Sequence, residues 1–263
     1  MVNFLYQKGI SWNWNEPMTR EQISRLKEEQ LKTIIKNIAI THNLVNIQQV
    51  KGKDLCIKDT DKFTYLLTYS FPCQDLSLAG KGKGMSDTST RSGLLWEVER
   101  ILSECKEKPQ VLLMENVIQV HSQDNKEDFN KWQLRLEELG YKNYWKDLIA
   151  TDYGIPQTRN RCFMVSILGD YSYKFPEPIP LKLKLKDMLE SEVSEKYYLN
   201  ERMTKYIISE DDKYQVNENK SLINRDIACS KTTHEGRTRT DTSDYICESR
   251  GGELQPKKRD EYP

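Results

Sequence analysis

Three short apolar runs, each abutting a residue able to do chemistry and each followed or preceded by a helix-sized stretch, constrain this chain to an α/β sheet. The first, Leu66-Leu67-Thr68-Tyr69, leads through Ser70-Phe71 to Pro72-Cys73. Pro72 fixes its own φ and has no backbone N–H, so a strand ladder should stop there and leave the thiol at the carboxyl end of the strand. Ligands bind at that end of an open α/β sheet. The second run, Val111-Leu112-Leu113-Met114, passes directly into Glu115-Asn116-Val117. The third, Cys162-Phe163-Met164-Val165-Ser166-Ile167, is preceded by Gln157-Thr158-Arg159-Asn160-Arg161. Cys73, Glu115 and Arg161 therefore fall about one βα unit apart. Parallel strands are expected to carry all three to one sheet edge. Each feature alone has a plainer explanation: a buried structural thiol, a locally paired carboxylate, a solvated charge run.

The segments between the runs carry helical periodicity. Thr19 with Gln22 forms a capping-box pattern ahead of Ile23, Leu26, Ile34, Ile35 and Ile38, which predicts one helix with those residues inward. Residues 1–17 read as aromatic and turn-rich, and residues 42–64 as irregular. The run through Leu66 and Leu67 predicts a short strand buried on both faces. Gly80, Gly82 and Gly84, interleaved with Lys81 and Lys83, predict a mobile loop whose spacing fits neither a Walker pattern nor a dinucleotide fingerprint, but whose lysines suit a nucleic-acid backbone. Ser89 or Thr90 can cap a helix that turns Leu94, Leu95, Val98, Ile101 and Leu102 inward. A further helix is expected from Asp124 or Asn125 through Phe129, Trp132, Leu136 and Leu139 to a stop at Gly140, followed by an extended stretch from Tyr141.

Composition limits the partners and the compartment. Lys+Arg and Asp+Glu are balanced at 40 each, so any basic surface must be local. Six cysteines without a C-x-x-C pair argue against a metal site or a disulfide framework and for a reducing cytosol. No apolar run approaches the ~20 residues that cross a bilayer, which excludes a membrane-spanning class. Pro176, Glu177, Pro178 and Pro180 mark a change of character, so residues 1–180 and 181–263 are expected to form two modules. In the second, residues 231–240 are dense in groups that hydrogen-bond phosphates and base edges.

With these contexts and this order, the chain resembles the DNA cytosine-5 methyltransferases of bacterial or phage restriction-modification systems. Pro72-Cys73-Gln74, Glu115-Asn116-Val117 and Gln157-Thr158-Arg159-Asn160-Arg161 match three signature motifs of that family, and the stretches at 80–84 and 90–95 match it as well. The resemblance is close over residues 11–180 and looser beyond. It implies an incomplete Rossmann-like S-adenosylmethionine-dependent sheet with a smaller target-recognition region. It further implies Cys73 as the nucleophile toward cytosine C6, Glu115 at N3, Arg161 at O2 and Arg159 orienting the site. Asn46, Ile47, Ser70, Pro72 and Leu94 are implied as cofactor contacts. The implied contacts to double-stranded DNA are Gln74, Ser77, Lys81, Lys83, Arg91, Thr232, Thr233, Arg237 and Arg239. A cytoplasmic, nucleoid-associated protein without membrane or metal is the corresponding expectation. Three departures accompany the match. The Phe-x-Gly-x-Gly turn and the acidic residue that follows it in the family are not in this sequence, nor are the family's closing helix and Gly-Asn motif, and Tyr65 stands where an acidic residue is common. A fragment, one half of a split enzyme completed by another polypeptide, and a degenerate DNA-binding copy are the readings left open, alongside an RNA cytosine-5 methyltransferase. S-adenosylmethionine is expected to bind this chain weakly or not at all.

Overall fold

The strand that follows Gln110 organises the sheet. In the computed structural model, which describes residues 1–12, 16–71, 94–190, 193–194, 198–206, 224–230, 247–250 and 253–256, four strands are β1 (Leu66–Tyr69), β2 (Val111–Asn116), β3 (Tyr141–Ile149) and β4 (Asn160–Leu168), in the order β1-β2-β4-β3. β1 runs parallel to β2, with Tyr69 opposite Met114. β4 runs antiparallel to β2, with Asn116 opposite Cys162 and Glu115 opposite Phe163. The expectation of parallel strands throughout is thereby corrected. β4 enters the sheet at the edge where β2 ends, with Cys162 opposite Asn116.

β1 also departs from expectation. It is not buried on both faces: its residues alternate between exposed and half-buried, and Leu66 is 58% exposed. Within the described sheet it stands at the end of the strand order, where only one side is covered by a neighbouring strand. Its start is held by the Gln110 side chain, which accepts from the Tyr65 N–H (2.8 Å) and donates to the carbonyls of Thr60 (2.9 Å) and Phe63 (3.0 Å).

On β2, Leu112, Met114 and Asn116 are buried while Val111, Leu113 and Glu115 are half-buried, the period of two that a one-sided helical cover produces. Two helices share the core with Leu112 and Met114: α4 (Leu95–Glu104) through Leu95, Val98 and Leu102, and α5 (Lys126–Glu138) through Phe129, Trp132 and Leu136. Both follow the apolar spacing of the sequence. Gly140, at φ 96°, ends the connection from α5 to β3 in a backbone region that residues with a Cβ rarely adopt. The capping residues expected for α4, Ser89 and Thr90, lie outside the described residues.

A second cluster, centred on Leu5, Ile10, Ile23 and Leu31, is built from three helices rather than one. Residues 2–8, expected as a turn, form α1 (Val2–Lys8), closed by Gly9 at φ 66°. Thr19 and Gln22 form the expected capping box, but the helix they open, α2 (Arg20–Ser24), stops within two turns. The chain restarts as α3 (Glu28–Thr41) after an extended Lys27. The break lets both Ile23 and Leu31 point into one cluster, which a continuous helix with the two residues eight positions apart also permits, so the pattern could not reveal it.

The chain divides into two compact units, residues 1–146 with 162–174 and residues 147–161 with 175–263. In the second, the Tyr153 hydroxyl donates to the Pro176 carbonyl (3.1 Å), Ile179 N–H donates to Asp152 O (2.8 Å), and Lys184 pairs with Asp226 (2.8 Å). β5 (Cys247–Arg250) and β6 (Glu253–Pro256) pair antiparallel.

Candidate active site

In the first unit, the side chain of Asn116 links the two chain segments that carry the thiol and the carboxylate. Its Nδ2 donates to the Phe71 carbonyl (3.1 Å), and its Oδ1 accepts from the Val117 N–H (2.8 Å). Phe71 lies two residues ahead of Cys73, and Asn116 follows Glu115. Because β1 and β2 are parallel and in register, both chains leave the sheet on the same side, and a buried amide ties them together there. Glu115 itself is half-buried on the alternate face of β2.

Two residues before Phe71, the Tyr69 hydroxyl accepts from Trp132 Nε1 at 3.0 Å, and the two rings meet edge to face at 5.9 Å. Burial pushes the Tyr69 phenol well above its ordinary range, and the Trp132 hydrogen bond opposes that shift only in part.

In the second unit, Arg159 and Arg161 are half-buried. The Arg161 guanidinium donates to the Asn160 carbonyl (2.7 Å), while the Arg159 carbonyl accepts from the Ala150 N–H (2.9 Å). The motif ahead of them is held by a strand-like segment: Ala228 N–H donates to Pro156 O (2.8 Å) and Thr158 N–H donates to Ala228 O (2.9 Å). Gln157 Nε2 adds a bond to the Cys229 carbonyl (3.3 Å). Asn160 Oδ1 is buried without a hydrogen-bond partner among the described residues.

Of the expected cofactor contacts, Asn46 and Ile47 open a single 3-10 turn (Ile47–Gln49), and Asn46 Oδ1 caps it by accepting from the Gln48 N–H (3.0 Å). Arg100 of α4 fixes this turn by donating to the Ile47 (3.2 Å) and Val50 (2.8 Å) carbonyls while pairing with Glu97 and Glu104. The Gly52 N–H and then Arg100 hold the Glu104 carboxyl below the usual carboxylate range. Next to the turn lies an open cleft of about 360 Å³ lined by Phe4, Lys8, Leu44, Gln49, Val50 and Asp54. Ser70 is exposed at the end of β1, and Leu94 is half-buried just ahead of α4. Cys73, Pro72, Gln74, Ser77, Lys81, Lys83, Arg91, Thr232, Thr233, Arg237 and Arg239 lie outside the described residues.

Sequence reasoning did not single out Arg100 or the Asn116 and Trp132 side chains for these roles. Asn116 carried a signal, since an amide at a strand end must find partners if buried. Trp132 and Arg100 carried none: a helical apolar position and a surface charge say nothing of their polar atoms.

Residues 4–260 match the family model for C-5 cytosine-specific DNA methylases. Among curated relatives, the chain is 41% identical over 243 residues to the orphan methyltransferase M.SssI of Spiroplasma monobiae, covering 90% of this chain and 60% of that one. It is 41% identical over 196 residues to the type II methyltransferase M2.ScrFI of Lactococcus lactis subsp. cremoris, covering 74% and 52%. The chain thus spans between half and two thirds of these relatives. Among solved structures, the fold is like that of the Entamoeba histolytica methyltransferase EhMeth (TM-score 0.58, 19% identity, 84% of this chain and 65% of that one). It is also like that of the S. pombe Dnmt2 methyltransferase (TM-score 0.53, 17% identity, 77% and 60%). The extent of the family match, together with the α/β sheet, makes this chain a member of the C-5 cytosine-specific DNA methylase family.

Proposed function

We propose that this chain carries the base-attacking half of a DNA cytosine-5 methyltransferase site, with residues 1–180 forming the catalytic portion and 181–263 the target-recognition portion. The observation that carries this is the Asn116 bridge from Phe71 to the turn after Glu115, which couples the backbone leading to Cys73 with the carboxylate's strand.

Cytosine C5 is a weak nucleophile. Addition of the Cys73 thiolate to C6 forms an S–C6 bond and moves the C5–C6 π electrons toward C5. The Glu115 carboxyl, hydrogen-bonded at N3 or giving its proton there, neutralises the charge that addition places on the ring. Arg161 holds O2 by a charge-assisted hydrogen bond and Arg159 orients the site. S-adenosylmethionine, when bound, supplies the electrophilic methyl group. The C5 proton then leaves to a base, the C5–C6 double bond re-forms and the Cys73 thiolate is expelled. The target atoms are stacked inside a duplex, so the base must leave the helix, and we assign Gln74, Ser77, Lys81, Lys83 and Arg91 to the DNA around it. Thr232, Thr233, Arg237 and Arg239 are assigned to target recognition.

The fit to the cofactor is one-sided. The turn at Asn46 and Ile47 is held by Arg100, Ser70 follows β1 and Leu94 precedes α4, and with Pro72, assigned from its motif, these residues would hold one side of S-adenosylmethionine. We assign the other side to sequence corresponding to the part of the relatives that this chain does not span, in the same polypeptide or a complementary one. The test is transfer of labelled methyl from S-adenosylmethionine to duplex DNA and to tRNA, with the unspanned part of the Spiroplasma relative added. Transfer to DNA that is lost in Cys73→Ser and in Glu115→Gln supports the proposal. Transfer that survives Cys73→Ser, or that goes to tRNA alone, overturns it.

A further inference from the structure

Trp132 is fully buried in the middle of α5, outside every motif assigned above, yet it touches Tyr69 and Trp96, which lie in sequence on either side of the segment that carries the cysteine. Its Nε1 donates to the hydroxyl of Tyr69, three residues before Pro72. Its ring also meets Trp96, near the start of α4, edge to face at 6.0 Å and 79°. Tyr69 and Trp96 bracket residues 72–93, which include Cys73 and the lysine-glycine stretch. Resting on the reading of Cys73 above, we propose that Trp132 is a positioning residue for methyl transfer: through Tyr69 on one side and Trp96 on the other, it sets the separation of the two ends of the cysteine-bearing segment.

The chemistry of the side chain argues for more than core filling. A phenylalanine or leucine would fill an apolar position without an N–H that needs a partner. Here that N–H is spent on the last residue of β1, the strand leading to Cys73, and the acceptor is a hydroxyl that itself has been withdrawn from water. The bond is directional where packing is not, so it adds to the ladder contact of Tyr69 with Met114 a fixed orientation of the Tyr69 ring against α5. Asn116 then holds the next link, the Phe71 carbonyl, so the approach to Cys73 is pinned at two successive points.

Two variants test this in the full chain. Trp132→Phe keeps an aromatic ring and removes the donor; Tyr69→Phe removes only the acceptor oxygen and is the milder change if the first folds poorly. Peptide-level hydrogen exchange is expected to rise about five- to tenfold at residues 69–71 in both variants, as loss of one buried hydrogen bond allows, and at residues 94–97 in Trp132→Phe, while β2 amides stay protected. With the unspanned part of the Spiroplasma relative and S-adenosylmethionine present, the rate of covalent capture of a 5-fluorocytosine duplex at saturating DNA is expected to fall about ten- to a hundredfold, with the half-saturating DNA concentration unchanged. Because the two residues share one bond, the double variant should lose no more than Trp132→Phe alone. Capture at the parental rate, or faster exchange that extends across β2, overturns the positioning role. Capture that persists in Cys73→Ser refutes the nucleophile instead, and if the parent captures no DNA the nucleophile again fails while the exchange pattern alone decides Trp132.

Discussion

Replacing Asn116 by alanine probes the link between the two motif-bearing segments. The side chain makes two hydrogen bonds, to the Phe71 carbonyl and from the Val117 N–H, and the residue is 3% exposed. Two such bonds contribute roughly 0.5–1.5 kcal/mol each, and leaving a buried carbonyl unpartnered costs about 1–3 kcal/mol, so the loss should be about 2–3 kcal/mol once overlap between these effects is allowed for. An exposed substitution typically stays within about 0.5 kcal/mol. All five tryptophans precede residue 147 and so belong to the first unit, which makes their fluorescence a probe of that unit even if the second unfolds separately. With a urea dependence on the order of 2–3 kcal/mol per molar, the midpoint should fall by about 1 M at unchanged slope. A shift below about 0.2 M, the size an exposed change produces, would refute the view that this amide is a structural tie between the two segments.

Other substitutions probe the surroundings. A Cβ added at Gly52 would lie 2.6 Å from the Glu104 carbonyl carbon and 2.7 Å from the Cys105 nitrogen, both backbone atoms, so Gly52→Ala should lower stability by roughly 1–3 kcal/mol in the same urea titration. Arg100→Met removes both bonds to the Ile47 and Val50 carbonyls, and hydrogen exchange at residues 47–50 should rise while β2 remains protected. Thr60 donates its N–H and its hydroxyl to Glu107, holding that carboxyl below the usual range. A depressed folded pKa stabilises above the unfolded value and loses that contribution as pH falls. The stability gap between the parent and Glu107→Gln should therefore be full near neutrality and close between about pH 5 and pH 3. A gap that is flat with pH would exclude the Thr60 bonds as its source. Calorimetric titration of this chain alone with S-adenosylmethionine should show weak binding or none; tight binding would mean that these residues hold the whole cofactor.

The α4 and α5 faces, the strand ahead of Cys73 and the strand that contains Glu115 were legible because apolar spacing follows directly from burial on one side. Strand direction was not. An apolar run reads the same in either direction, so the antiparallel course of β4 appears only in its pairing with β2. The break between α2 and α3 hid for a similar reason, since Ile23 and Leu31 keep helical phase across it. Leu66 looked like core because its composition is that of a central strand; its exposure depends on which strands lie beside it, information that no window of four residues holds. Glu115 and Arg161 are candidates that their motifs alone put forward, whereas the Asn116 amide and the Trp132 N–H acquire partners only across 45 and 63 residues of chain.

The central claim is that Cys73 attacks the base. Its most direct measurement is mass spectrometry of the peptide containing Cys73 after the chain, S-adenosylmethionine and the unspanned part of the Spiroplasma relative are incubated with a 5-fluorocytosine duplex. A nucleotide adduct on Cys73, absent when that residue is serine, is the predicted result. An adduct on another cysteine, or none on Cys73 while methyl transfer to ordinary DNA proceeds, would contradict it.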